Sequence, residues 1–205
     1  QGSAKSSSVR RTRALIDPNK SPLRRLTRDG RDLMIAAQNA FVLAFDNLSL
    51  IPPSISDALC SLATGGGFST RQLYTDDEEK LFDSMRPVFL NGIEDVATRA
   101  DLLDRCVLLA LPSLPERDRR DEAELEKAFE AARPHILGAL LDAASTALRR
   151  IAGIQIERRP RMLDFAKWCT AAEASFGWKA GTFLDAYMRN RGDAHAIAME
   201  SSPVG

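Results

Sequence analysis

The residues best suited to chemistry stand at the start of the chain, QGSAKSSS. Lys5 and Ser6 set an ammonium beside a hydroxyl, directly after the small residues Gly2, Ser3 and Ala4 and before Ser7. An ammonium neutralises phosphate oxygens, a hydroxyl can ligate Mg²⁺, and small residues let backbone amides approach an anion closely. Asp46 ends an apolar run, FVLAFDN (41–47), and can offer the same ion a carboxylate. Asn91 closes a second run, RPVFLN (86–91), where a neutral amide can hold a water or a terminal phosphate. Arg105 opens a third run, RCVLLAL (105–111), where a guanidinium can stabilise charge developing on a transferred phosphoryl group. Each residue alone has a plainer reading. Lys5 and Ser6 suit a polar terminus, Asp46 a cap or turn, Asn91-Gly92 a turn pair, and Arg105 a surface partner of Asp101 or Asp104.

These residues need elements to position them. The three apolar runs lack polar alternation, which predicts strands buried on both faces of a parallel sheet. Ligands gather at the carboxyl ends of such strands, where Asp46 and Asn91 fall. A helix is predicted over Ser6–Ile16, with Val9, Ala14 and Leu15 inward and arginines outward, stopped by Asp17-Pro18. Residues 17–28 read as a loop, Asp29–Asn39 as a short helix, and Ser54–Ala63 as a helix with Ser54 at its N-cap. TGGGFSTRQLYTDDEE (64–79) reads as a glycine turn followed by a hairpin strand. Beyond residue 115 only helical patterns occur, with Pro134 kinking one helix or starting the next. Helices are expected around 161–175 and 180–198, with Trp168 and Trp178 in their core and Glu126, Glu130 and His135 solvated.

Composition narrows the class. A hydrophobic fraction of 44% and a charged fraction of 27% over 205 residues are those of a globular chain. Net charge is zero, yet residues 1–31 hold nine basic side chains against two acids, and Arg71–Asp104 holds nine acids against four bases. The first cluster, including Arg24, Arg25 and Arg28, suits either a polyanion partner or a solvated loop. Three scattered cysteines and two histidines provide neither zinc spacing nor a disulfide framework. With no apolar run of membrane-spanning length, a cytoplasmic location is expected.

The order of the site residues adds specificity. Lysine-serine, an acid after a buried strand, an asparagine after the next, then an arginine is the succession of Walker A, Walker B, sensor 1 and arginine finger. The chain thus resembles the AAA+ branch of P-loop NTPases. More narrowly it is similar to the superfamily 3 helicase-type ATPase module of phage, plasmid and integrative-element primase-helicases. LATGGGFSTRQLY matches the hairpin segment of that group, and RPVFLNGIEDVATRADLLDRCVLLALP its sensor and finger segment.

The resemblance implies an α/β fold: a P-loop NTPase-like parallel sheet with flanking helices over residues 1–115, then an all-helical region over 116–205. It implies ATP and Mg²⁺ as cofactors. Gly2, Ser3, Ala4, Lys5, Ser6 and Ser7 would cradle phosphate, and Ser6 and Asp46 would hold the ion. Asn91 would act as sensor, Arg105 as a finger toward a neighbouring subunit of a homo-oligomeric ring, and Arg71 would approach single-stranded or forked DNA. The implied function is the ATPase motor of a mobile-element DNA helicase, the alternative a catalytically weak nucleotide-dependent switch. Asn47 stands where that group carries a glutamate, with Glu94 or Asp95 as substitutes. The first loop glycine and its strand would precede Gln1, so the chain is expected to be a fragment.

Overall fold

In the computed structural model, residues 2–65, 68–71, 79–82, 84–92 and 96–201 are described. The chain forms two compact units, Gln1–Leu103 with Ala110–Leu114, and Asp104–Leu109 with Pro115–Gly205.

The first unit begins with helix α1, Lys5–Ile16, entered through Ala4 in the left-handed conformation (φ 53°). Helix α2, Gly30–Gln38, is capped by Asp29, whose carboxylate accepts from the amide of Arg31. Strand β1, Leu43–Leu48, follows. Helix α3, Pro53–Thr64, has Pro53 in its first turn and ends at Gly65, whose positive φ of 73° closes the helix without a Cβ clash. Its cap position is Pro52, without a side-chain hydrogen bond, so Ser54 is not the cap.

Strands β2 (Phe68–Arg71) and β3 (Glu79–Phe82) pair antiparallel, giving the expected hairpin. Strand β4, Val88–Gly92, pairs parallel with β1, and a short helix α4, Ala100–Leu103, ends the run. The core gathers Leu33, Met34 and Ala37 of α2, Leu43 and Phe45 of β1, Ile55, Leu59 and Leu62 of α3, and Leu102 and Leu103 of α4, all buried. Full burial of each large apolar side chain contributes about 1.5–3 kcal/mol.

The expected P-loop NTPase-like sheet does not form. Among the described residues the parallel sheet has two strands, β1 and β4, and seven α-helices dominate the architecture. The other edge of β1 meets only an isolated bridge at Arg24↔Phe45, in which the Arg24 amide donates to Ala44 and the Asp46 amide to Arg24. The third apolar run, Arg105–Leu111, is not a strand, for a tertiary reason. Asn190 substitutes for a neighbouring strand: its carboxamide accepts from the Leu108 amide (2.9 Å) and donates to the Leu108 carbonyl (2.7 Å). Asp104 pairs with the buried Arg191, so Asp104–Leu109 packs within the helical unit.

A second correction concerns α1, whose arginines do not all face water. Arg13 is 1% exposed, while Val9, Ala14 and Leu15 are only partly buried. The Arg13 guanidinium donates to the carbonyls of Ser21 (2.9 Å) and Pro22 (2.8 Å) and lies 3.5 Å from Asp17. Asp17 in turn accepts from the amides of Phe41 and Val42. Loop carbonyls at 21–22 and amides at the approach to β1 need partners once buried, and this pair supplies them.

In the helical unit, α5 runs without a break from Glu122 to Arg150, with Pro134 inside it. A 3₁₀ turn at Ile151–Gly153 leads to α6 (Leu163–Ala172), a second at Glu173–Phe176 to α7 (Thr182–Glu200). Small residues meet where α5 and α6 touch: Ala143, Ala147, Ala171 and Ala172. Phe165, Phe183 and Tyr187 form an aromatic cluster, and burial pushes the Tyr187 phenol above its ordinary pKa. Trp168 and Trp178 are not core residues; both are more than a third exposed, and Trp178 stacks on Phe176. Buried Glu173 accepts from the amides of Gly181 and Phe183, charging the start of α7 favourably.

Removing Arg13 would strand Asp17 and two carbonyls. Arg13→Ala is expected to destabilise the first unit by roughly 2–4 kcal/mol, read as a lower midpoint in urea unfolding followed by circular dichroism. An unchanged midpoint would contradict the role assigned to Arg13.

Candidate functional site

Local sequence explains how three elements converge. The small residues before Lys5 let the chain turn into α1 with Gly2 (φ 83°) and Ala4 both left-handed, so the helix starts abruptly. At the start of any α-helix the first amides lack intrahelical partners, and here they carry positive dipole with no acid in the first turn to offset it. The Gly2 carbonyl is fixed by the amide of Leu114 (3.0 Å). Strands β1 and β4 run parallel and end side by side, presenting Asp46 and Asn91 to this helix start.

The four side chains meet. Lys5 donates from Nζ to the Gly92 carbonyl (2.7 Å). Ser6 donates from Oγ to Asp46 Oδ1 (3.1 Å). Asn91 donates from Nδ2 to Asp46 Oδ1 (2.5 Å) and to Ser6 Oγ (3.2 Å). The Asn47 amide adds a third donor to the same carboxylate oxygen (2.9 Å). One carboxylate oxygen therefore receives three hydrogen bonds at the tip of β1, and Asn91 is buried.

Asn47 occupies the left-handed region (φ 57°), where β1 breaks register between Phe45 and Leu48. Asparagine tolerates that conformation far better than glutamate does. The side chain at 47 is exposed and neutral, so the position adjacent to Asp46 contributes no carboxylate.

Ser6 Oγ and Asp46 Oδ1 are the two side-chain oxygens here that could ligate a hard cation. Ligands at about 2.0–2.1 Å in an octahedron place adjacent oxygens about 3 Å apart, close to the 3.1 Å between Ser6 Oγ and Asp46 Oδ1. Among the described residues no group of three or more His, Cys, Asp or Glu could hold a metal by itself. A hard ion sharing one or two protein oxygens with phosphates and water needs no such group.

The remaining predicted residues are placed differently. Gly2, Ser3 and Ala4 form the turn into α1, and Ser7 lies in its first turn. Arg105 belongs to the segment that packs with the helical unit, and the cluster is built without it. Arg71 ends β2, its side chain outside what the structure describes, and Glu94 and Asp95 lie outside the described residues. Elsewhere, burial pushes the Cys169 thiol up to about 11, which keeps it protonated and unreactive near neutrality. No helix among the described residues is long and apolar enough to cross a membrane. The Gly92 carbonyl and the Asn47 amide escaped sequence reading because backbone groups carry no side-chain signature; only their neighbours Asn91 and Asp46 marked the place.

A model of one protein family, described as actinomycete integrative conjugative element replication protein, matches residues 1–194. No match was found among curated proteins or among solved structures.

The convergence on Asp46 makes a sharp stability prediction. Asn91→Asp replaces the amide that donates to Asp46 Oδ1 and Ser6 Oγ with a second acceptor. The variant should be roughly 1–3 kcal/mol less stable than the parent, as measured by urea midpoints; an unchanged midpoint would contradict the role assigned to Asn91.

Proposed function

We propose, because the chain belongs to the actinomycete integrative conjugative element replication protein family, that its first unit binds a nucleoside triphosphate with Mg²⁺ to support DNA replication of such an element. The observation that carries the reading is the meeting of Lys5, Ser6, Asp46 and Asn91 at one helix start. An anionic ligand there gains from the helix dipole, the first-turn amides and the Lys5 ammonium together. Lys5 exchanges the Gly92 carbonyl for an outer phosphate. Ser6 and Asp46 present their oxygens to the ion, and Asn91 keeps both in place while its amide orients a water or terminal phosphate. A bound Mg²⁺ would supply charge neutralisation for the phosphates.

Two modes of use follow from this site. In the first, hydrolysis of ATP drives a motor acting on DNA. In the second, triphosphate binding alone switches assembly on DNA. The neutral, exposed Asn47 beside Asp46 favours the second, because position 47 supplies no carboxylate to polarise an attacking water.

A charge-assisted contact to phosphate contributes about 1.5–3 kcal/mol. Lys5→Ala should therefore weaken binding of a fluorescent ATP analogue roughly 10–150-fold in an anisotropy titration with Mg²⁺. Asp46→Asn should remove most of the difference between Mg²⁺ and EDTA. Equal affinity of the parent, Lys5→Ala and Ser6→Ala would sink the reading. Phosphate release with and without single-stranded DNA then separates motor from switch.

A further inference from the structure

The helical unit carries a second concentration of charge that the α1 site does not use. Between the end of α5 and the middle of α6 stand Arg149, Arg150, Arg158, Arg159, Arg161 and Lys167, against Glu157 and Asp164. Six cations and two acids leave four positive charges on one short stretch of a chain whose net charge is zero. The five arginines are exposed, and none of the six cations forms an ion pair among the described residues. Arg149 donates only to the hydroxyls of Ser145 and Thr146, which leave its charge uncompensated.

Helix polarity explains part of this. Arg149 and Arg150 end α5, where cations complement the dipole. Arg158, Arg159 and Arg161 lie in the loop between α5 and α6, and Lys167 is inside α6, so the dipole gives no reason for them. The glutamates of α5 do not offset them. Glu122, Glu124, Glu126 and Glu130 stand about 30–40 Å back along the helix at 1.5 Å per residue, several screening lengths away at physiological salt. Asp142, two turns before Arg149, is the one acid of α5 near the stretch, and counting it still leaves an excess of positive charge.

The same stretch lines an open cavity of about 470 Å³. Ile151, Ile154, Ile156 and Leu163 give it an apolar part, and Gln155, Arg159, Asp164 and Lys167 a polar one with two cations against one acid. A concave, partly apolar surface with a surplus of cations at its edge suits a polyanion that also has flat apolar groups to insert. A stranded nucleic acid has both, and in a duplex the bases are already stacked and unavailable. An acidic peptide would satisfy the cations and leave the apolar lining unused.

We infer that residues 149–167 form a single-stranded DNA contact of the helical unit, with phosphates on Arg158, Arg159 and Arg161 and a base or sugar in the cavity beside Lys167. The inference rests on the replication role of the family and is independent of the α1 triphosphate site.

The test uses the full chain and a labelled 20-nucleotide single strand, titrated by anisotropy at several salt concentrations. Each cation removed from phosphate flattens the slope of log K against log salt by about 0.7 for a single strand. The triple variant Arg158→Ala/Arg159→Ala/Arg161→Ala should therefore lose about two units of slope and bind roughly 10–100-fold more weakly at 0.1 M salt. These side chains are exposed, so the fold should survive, with an unchanged thermal midpoint as the control. Lys167→Glu, a single charge reversal on the cavity lining, should weaken binding in the same direction. Lys5→Ala should lose ATP and keep the strand. Absence of strand binding by the parent, or an unchanged slope and affinity in the triple variant, overturns the inference. So does tighter binding of the matching duplex than of the single strand. Loss of ATP binding in the parent would count against the α1 site and leave this surface standing.

Discussion

One carboxylate oxygen organises the first unit. Asp46 Oδ1 receives the Ser6 hydroxyl, the Asn91 amide and the Asn47 backbone, and these three donors come from α1, β4 and β1. A buried or half-buried charge persists only when its lone pairs are satisfied. Satisfying Asp46 Oδ1 therefore fixes the start of α1 against the ends of both parallel strands. Lys5 adds a fourth link by donating to Gly92 at the last residue of β4. The contacts that give the unit its register are the ones that would face a phosphate.

A two-stranded parallel sheet is too small to hold such an arrangement through its own ladder. Side chains do the remaining work, and arginine is the recurring choice. Arg13 caps the carbonyls of Ser21 and Pro22, and Arg86 donates to the carbonyls of Ala37 in the last turn of α2 and Ala40 just beyond it while lying over Phe41. Arg99 bridges Asp57 of α3 and Asp101 of α4. Burial works to raise the Asp101 carboxyl, but the Arg99 hydrogen bonds and the Leu102 amide hold it below its ordinary value. Each guanidinium offers five donors in a planar fork, enough to satisfy several orphaned carbonyls at once. Arg13, Arg86 and Arg99 are thus structural. The basic stretch of the helical unit has no such internal duty.

The helical unit follows a different logic. Alanines let α5 and α6 approach closely, and an aromatic trio fills the space toward α7. Two polar contacts, Asn190 with Leu108 and Arg191 with Asp104, take up a segment that lies before the long helix in sequence. Satisfying the backbone of Leu108 from a side chain removes any need for a neighbouring strand there.

The sequence by itself determined the residue types at the ends of its apolar runs, two strands expected over 41–47 and 86–91 and found at 43–48 and 88–92, an antiparallel strand pair after the glycines, and helices on either side. It also placed Lys5, Ser6, Asp46 and Asn91 in an order with chemical meaning, because lysine, hydroxyl, acid and amide after buried runs is a local pattern. Tertiary structure alone decided that Arg105–Leu111 would not join the sheet, although it is at least as apolar as the other runs. It also decided that Arg13 turns inward and that Asn47 takes a positive φ. The reason is physical: an apolar run records a tendency toward burial but not the partner it finds, and Val107, Leu109 and Leu111 stay exposed. The partner of a half-buried backbone group can lie 82 positions away, as Asn190 does from Leu108, and no local pattern carries that distance.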